Sequence, residues 1–406
     1  MTDTCVPGEE IDFDPFSDEF FRDPHDIYRR LRAQVPVHFN QTYGLWALSR
    51  YADVAPGMKD FATFSSTEGI TLDMVLNPDQ SKPATPMIIM MDPPEHTRMR
   101  NLVRKVFTPR AIAELEPMIR EIIDSCIRRL PSGAFDVVTD FSTHFPIEVI
   151  SSMLGVPEAD RARLRELHAI PLERRPGETG MRPEAKQALA EAGRYHFELI
   201  LERRARPRDD MISRLIEAEV DRGDGVTTRL TDGEIAGFVS LLGGAGAETV
   251  AKLIGTAAVL FADHPEQWQA MRADRSKIPG AFEEVLRYDG PVQYDLRYTR
   301  RDVHLHGRTI PQGSHVLMLL ASATRDENAF HEAGRFDIER AHSGHNLGFG
   351  YGIHSCLGAA LARLEGRIAL DALLDVMPEY TLNRTGLRRA TTTNVAGWAN
   401  VPVRVG

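Results

Sequence analysis

Apolar positions recur at three- and four-residue spacing through most of the chain and alternate in only a few places, so helices are expected along most of it and strands in a few segments. HDIYRRLRAQ at 25–34 puts Ile27 and Leu31 on one face, and Pro24 sets the start of a helix. PVHFN and GLWALSR alternate as a hairpin, and a short helix follows from Ala52 to Lys59. Residues 66–91 read as loop, interrupted by Gly69, Pro78, Pro83 and Pro86. MIIMM at 87–91 is too apolar to leave in water, and an apolar loop of this length in a compact protein is often functional. DPPEHTRMRNLVRKVFTP then opens a helix with prolines at its start. Residues 111–154 give two helical patterns around FDVV, and 158–220 give several more. The segment 171–184, PLERRPGETGMRPE, breaks them and predicts a mobile connection able to act as a lid.

A long helix is expected from Thr231, which forms a capping box with Glu234, to about residue 262. Its middle, GGAGAET, is poor helix chemistry, because each glycine costs about 1 kcal/mol against alanine. A dinucleotide loop fails at Thr249, and close packing through small residues leaves Glu248 and Thr249 unexplained in an apolar helix. Further on, GAFEEVLRYD places Glu284 and Arg287 three apart on one helix face. Residues 291–326 alternate like strands around a turn at Pro311-Gln312-Gly313, and 391–406 read as a terminal hairpin. Between them FGYGIHSCLG, at 349–358, runs into a helix with Leu357, Leu361, Leu364, Ile368 and Ala372 in phase.

Composition narrows the class. Apolar content of 42% and charged content of 26% suit an ordinary folded protein. A formal charge of -10 argues against nucleic acid as the main partner. Cys5, Cys126 and Cys356 are too few for a disulfide framework and point to a reducing, cytoplasmic setting. Cys126 falls in phase with Ile119, Ile122 and Ile123 and is expected in the core. The acidic N-terminus has no apolar run, so neither a signal peptide nor a membrane anchor is expected. His304 with His306 and His342 with His345 invite a zinc site, but no second pair has zinc spacing.

Cys356 carries the chemistry. It sits where a glycine-rich loop becomes a helix N-terminus, where free N–H groups and the helix dipole favour a thiolate. Such a thiolate is a nucleophile or a metal ligand; the bland alternative is a buried cysteine beside a cap. FGYGIHSCLG, with every specified position matched, resembles the heme-binding loop of the cytochrome P450 family, F-G-x-G-x-H-x-C-x-G. Other motifs follow in family order. DPPEHTRMR resembles the helix whose His96 and Arg100 would hold a heme propionate; AGAET resembles the distal motif A-G-x-[DE]-T, with Val250 where a second hydroxyl is usual. EVLR and GRFD resemble the structural Glu-Arg-Arg triad, here Glu284, Arg287 and Arg335.

The resemblance covers nearly the whole chain and implies the P450 fold, mainly helical with a smaller β-rich part, as one domain over residues 1–406. It implies heme b with Cys356 as iron ligand, cradled by Phe349, Gly350 and Gly358, with His96, Arg100, Arg297 and His354 on the propionates. Glu248 and Thr249 would be the catalytic proton path. Met87, Ile88, Ile89, Leu241, Ala245, Val292, Tyr294 and Trp398 would line the substrate pocket. The activity implied is insertion of one atom of O2 into an apolar small molecule by a monomer. Electrons would come from a separate ferredoxin and ferredoxin reductase; a peroxide-driven peroxygenase and a non-catalytic heme sensor are the alternatives. Arg98, Arg104, Lys105, Arg110 and Arg363 are expected to form a basic docking patch for the ferredoxin.

Overall fold

A computed structural model describes residues 11–78, 85–172, 174–175, 177–221, 227–341, 344–390, 392 and 394–406. Its centre is the distal helix, Asp232–Asp263, which Thr231 opens with the expected capping box: its hydroxyl accepts from the Glu234 amide, and Glu234 accepts from the Thr231 amide. This is the helix among the described residues with the length and hydropathy to cross a membrane, but 61% of its most apolar window is buried in the protein. It is a core helix, and the main apolar cluster is built around its Ile235, Phe238, Val250, Ile254 and Phe261.

The helix runs unbroken through GGAGAET because its glycines are contact points. A Cβ on Gly243 would fall 2.6 Å from His168 Nε2, one on Gly246 2.5 Å from Ile150, and one on Gly255 2.7 Å from Val138. At Gly237 it would meet the Pro86 carbonyl oxygen at 2.1 Å, where the apolar loop crosses the helix. Packing at these crossings offsets the propensity lost. Helices Phe145–Leu154 and Pro183–Ala205 pack on its flanks, and the proximal helix Ala359–Val376 packs beneath it.

The β-rich part forms the edge. Val37–Asn40 and Leu45–Leu48 make the expected antiparallel hairpin, with Val37 opposite Leu48. His315–Met318 runs parallel to Leu45–Leu48 and antiparallel to Asp295–Thr299, and Phe64–Ser65 closes the five-stranded sheet. The C-terminal residues depart from expectation. Trp398–Asn400 pairs with Arg388–Arg389, and Pro402–Val405 lies between Tyr380–Leu382 and Ala134–Asp136. The two final strands therefore take partners from earlier in the chain and not each other.

Parts of the 66–91 loop are helical, at Leu72–Leu76 and Ile88–Met90. The segment expected to act as a lid is tied to the first of these. Buried Arg174 pairs with buried Asp73 at 3.3 Å, and Asn77 donates to the Thr179 carbonyl at 2.7 Å. His304 and His306 bond Thr309 and Asp53, and His345 stacks on Tyr351; Cys5 and His342 lie outside the described residues.

Candidate active site

Cys356 leaves a loop shaped by two glycines. Gly350 and Gly352 hold φ of 68° and 73°, a region closed to most side chains, and a Cβ on Gly352 would lie 2.5 Å from the Met58 carbonyl oxygen. The Cys356 amide donates to the Phe349 carbonyl at 2.8 Å, and the Phe349 ring lies between Phe282 and the Arg363 guanidinium. Gly358 is the cap of the proximal helix. The residue keeps exposed surface, yet burial of its sulfur pushes the thiol up from the ordinary value, against the Gly358 amide, Arg100 and Arg363, which lower it. The expected net lowering is therefore reversed: two cations and one amide do not offset lost solvation in the free thiol.

Beside this loop, His96 and His354 bring their rings to 4.4 Å. Their Nε2 atoms are buried and have no hydrogen-bond partner among the described residues. Burial first, and then Arg100, hold His96 down at about 4; burial, then Arg297, hold His354 at about 3. Arg100 donates to the Ser355 carbonyl at 2.6 Å. Arg297 is 4% exposed, donates to the Leu296 carbonyl, and has Asp295 only at 3.4 Å. Two orphaned imidazole nitrogens beside two under-compensated guanidinium groups call for an anion of at least one charge. The carboxylates of a heme fit that need, and the Cys356 thiol nearby fits its iron.

On the distal helix burial changes abruptly after Thr249. Ala245 is exposed and Glu248 and Thr249 are half-buried, whereas Val250 to Ala258 are buried. Thr249 Oγ1 donates to the Ala245 carbonyl at 3.0 Å, one turn back. Glu248, which the sequence left without a partner, lies 3.1 Å from Lys252 Nζ. Val250 belongs to the main core, 4% exposed.

The family model for cytochrome P450 matches residues 175–376. The putative cytochrome P450 123 of Mycobacterium tuberculosis is 40% identical over 404 residues, covering 98% of both chains. The vitamin D(3) 25-hydroxylase of Pseudonocardia autotrophica is 38% identical over 400 residues, covering 97% of this chain and 96% of its own. The structure of cytochrome P450 CYP109Q5 from Chondromyces apiculatus superimposes with a TM-score of 0.87 at 36% identity, over 97% of this chain and 98% of that one.

The chain belongs to the cytochrome P450 family.

It is therefore a heme-thiolate oxidoreductase of the monooxygenase class, and three expected site assignments need correction against its structure. The first is Arg335. Buried Glu284 takes a bidentate pair from Arg287, at 2.7 and 2.8 Å, and the third member of the cluster is Arg340, whose Nε lies 3.1 Å from both carboxylate oxygens. Arg335 offers this P450 triad only its backbone carbonyl, at 3.2 Å from Arg287 Nη2; its guanidinium is 60% exposed, between Glu332 and Asp337. The second is Tyr294, fully buried against Phe20 in the N-terminal cluster with Leu296 and so without surface to offer a substrate. The third is Ile88, buried in the main core. Met87, Ile89, Leu241, Val292 and Trp398 are half-buried. Lys252 was missed at the sequence level, although a lysine four residues after an acid in an apolar helix is a legible signal.

Proposed function

We propose that this P450 hydroxylates or otherwise oxidises a bulky apolar small molecule, using O2 and electrons from a separate ferredoxin and its reductase in the cytoplasm. The observation that carries the reading is the pair of orphaned imidazoles, His96 and His354, beside Arg100, Arg297 and the accessible Cys356. Cys356 Sγ would hold the iron of heme b, and the four basic side chains would hold its carboxylates. The heme, when bound, supplies activation of O2. Glu248 and Thr249 Oγ1 hold and pass protons at the cleft wall, and Met87, Ile89, Leu241, Ala245, Val292 and Trp398 exclude water around the substrate. Relatives support the apolar substrate class: one is named as a vitamin D(3) hydroxylase, and the structure of CYP109E1 from Bacillus megaterium, 31% identical with a TM-score of 0.82, is in complex with testosterone. Presence of the acid–alcohol pair favours O2 over peroxide as the oxidant.

The test is spectroscopic and then catalytic. The reduced carbon monoxide complex should show the red-shifted Soret band of a thiolate ligand, and Cys356→His should lose it. Compounds that shift the Soret band are then turned over with a surrogate ferredoxin, its reductase and NADH. A band retained in Cys356→His, or binding with no product and no NADH use, would overturn the proposal.

A further inference from the structure

Lys252 is a buried cation with two partners. Its Nζ lies 3.1 Å from Glu248 Oε1 and donates to the Trp398 carbonyl at 3.1 Å. The residue is 6% exposed, and its stem packs on Gly397, whose φ of +150° leaves no room for a side chain: a Cβ there would sit 2.6 Å from Lys252 Cβ. Burying an ammonium is costly unless it is paired, and an apolar residue of the same volume would fill the site at lower cost. A lysine therefore needs a reason to be there. One partner is the acid assigned to the proton path; the other belongs to the strand Trp398–Asn400, which carries a pocket residue.

We infer that Lys252 is a positioning residue for Glu248, holding its carboxylate in one rotamer and tying it to the strand that carries Trp398. The pair has the favourable order, Glu four residues before Lys on one helix, and partial burial keeps salt from screening it. The inference rests on the reading that Glu248 passes protons.

The test uses the holoenzyme with surrogate redox partners and a substrate from the Soret screen. Lys252→Met keeps an unbranched stem against Gly397 and removes the charge. Product per NADH should fall about threefold to tenfold, within the lower part of the range of pairwise couplings between neighbouring groups, and the solvent deuterium isotope effect on turnover should rise. Lys252→Arg should restore most of the yield. In a Glu248→Gln background, Lys252→Met should have no further effect. In the resting holoenzyme, amide hydrogen exchange across residues 396–401 should quicken in Lys252→Met; the Ala396 and Val401 amides there are bonded to the Pro291 carbonyl and to Asp136. Full coupling with unchanged exchange in Lys252→Met would overturn the inference, as would an equal loss of yield in the Glu248→Gln background, which would make Lys252 a packing residue. A Glu248→Gln variant that by itself keeps full yield would overturn the proton-path reading instead, and that single variant tells the two failures apart.

Discussion

Thr249 Oγ1 donates its proton to the Ala245 carbonyl, so its lone pairs remain free to accept on the half-exposed side of the helix. Thr249→Ala removes one hydroxyl and one methyl from a partly solvated position, and its melting temperature and heme content should stay near those of the parent. NADH use should continue while product falls and hydrogen peroxide accumulates. Val250 is turned into the core and cannot replace the lost alcohol. Full product yield per NADH in Thr249→Ala would reduce Thr249 to a packing residue. The Glu284 cluster gives a second contrast at this scale. Arg340→Ala removes one of the two guanidinium partners of a carboxylate that is 1% exposed, leaving the Arg287 pair, and should cost about 1.5–3 kcal/mol in denaturant unfolding. Arg335→Ala removes an exposed guanidinium and should cost no more than about 1 kcal/mol. Both arginines stand near GRFDIE in the sequence; the motif named Arg335, but only the path of the backbone past Glu284 selects Arg340.

At the scale of elements, the distal helix meets two stacked histidines. His168, from Glu158–Ala169, and His196, from Pro183–Ala205, lie 5.4 Å apart at 21°, and His196 Nδ1 is 3.2 Å from Ser240 Oγ. Burial lowers both from the ordinary imidazole value, His168 to about 4 and His196 to about 3, the latter further lowered by His168. The unfolded chain takes up protons below about pH 6.5, and the folded chain does so only below about pH 4 at His168. This part of the stability is thus present above pH ~6.5 and lost as the solution is acidified, on the order of 3 kcal/mol for His168. The melting temperature should fall more steeply between pH 6.5 and 4 in the parent than in His168→Gln/His196→Gln. Equal slopes would show that the pair does not report on this packing. The sequence showed the glycines opposite these rings but not the rings: close packing was one reading of Gly243, and the His168 ring that packs there comes from a helix far earlier in the chain, brought in by packing alone.

For the whole molecule, the expected basic patch survives only in part. Arg98 turns inward to Glu234, Lys105 reaches the Glu219 carbonyl, Arg110 pairs with Glu114 at 3.0 Å, and Arg363 pairs with Glu283 at 2.5 Å. Arg104 remains exposed with no ion pair among the described residues. A protein of formal charge -10 with so thin a basic patch should still show slower reduction by an acidic ferredoxin as salt is added, but with a shallow slope. Stopped-flow reduction at several ionic strengths measures it. A rate independent of salt would exclude steering by these residues, and Arg104→Ala should flatten the dependence further.

By itself the sequence determined the mainly helical class, the capped distal helix from Thr231, the hairpin at 37–48 and the loop that presents Cys356, because each depends on local periodicity, caps and glycine conformations. It also placed His96 and Arg100 one turn apart and Glu248 beside Thr249, spacings that a helix enforces. The tertiary structure decided everything that joins distant segments. It put His354 against His96, chose Arg340 over Arg335, buried Tyr294 among N-terminal aromatics and set the Trp398 carbonyl against Lys252. These choices turn on which faces are covered when sheet and helices close together, and no residue's own neighbours along the chain carry that information.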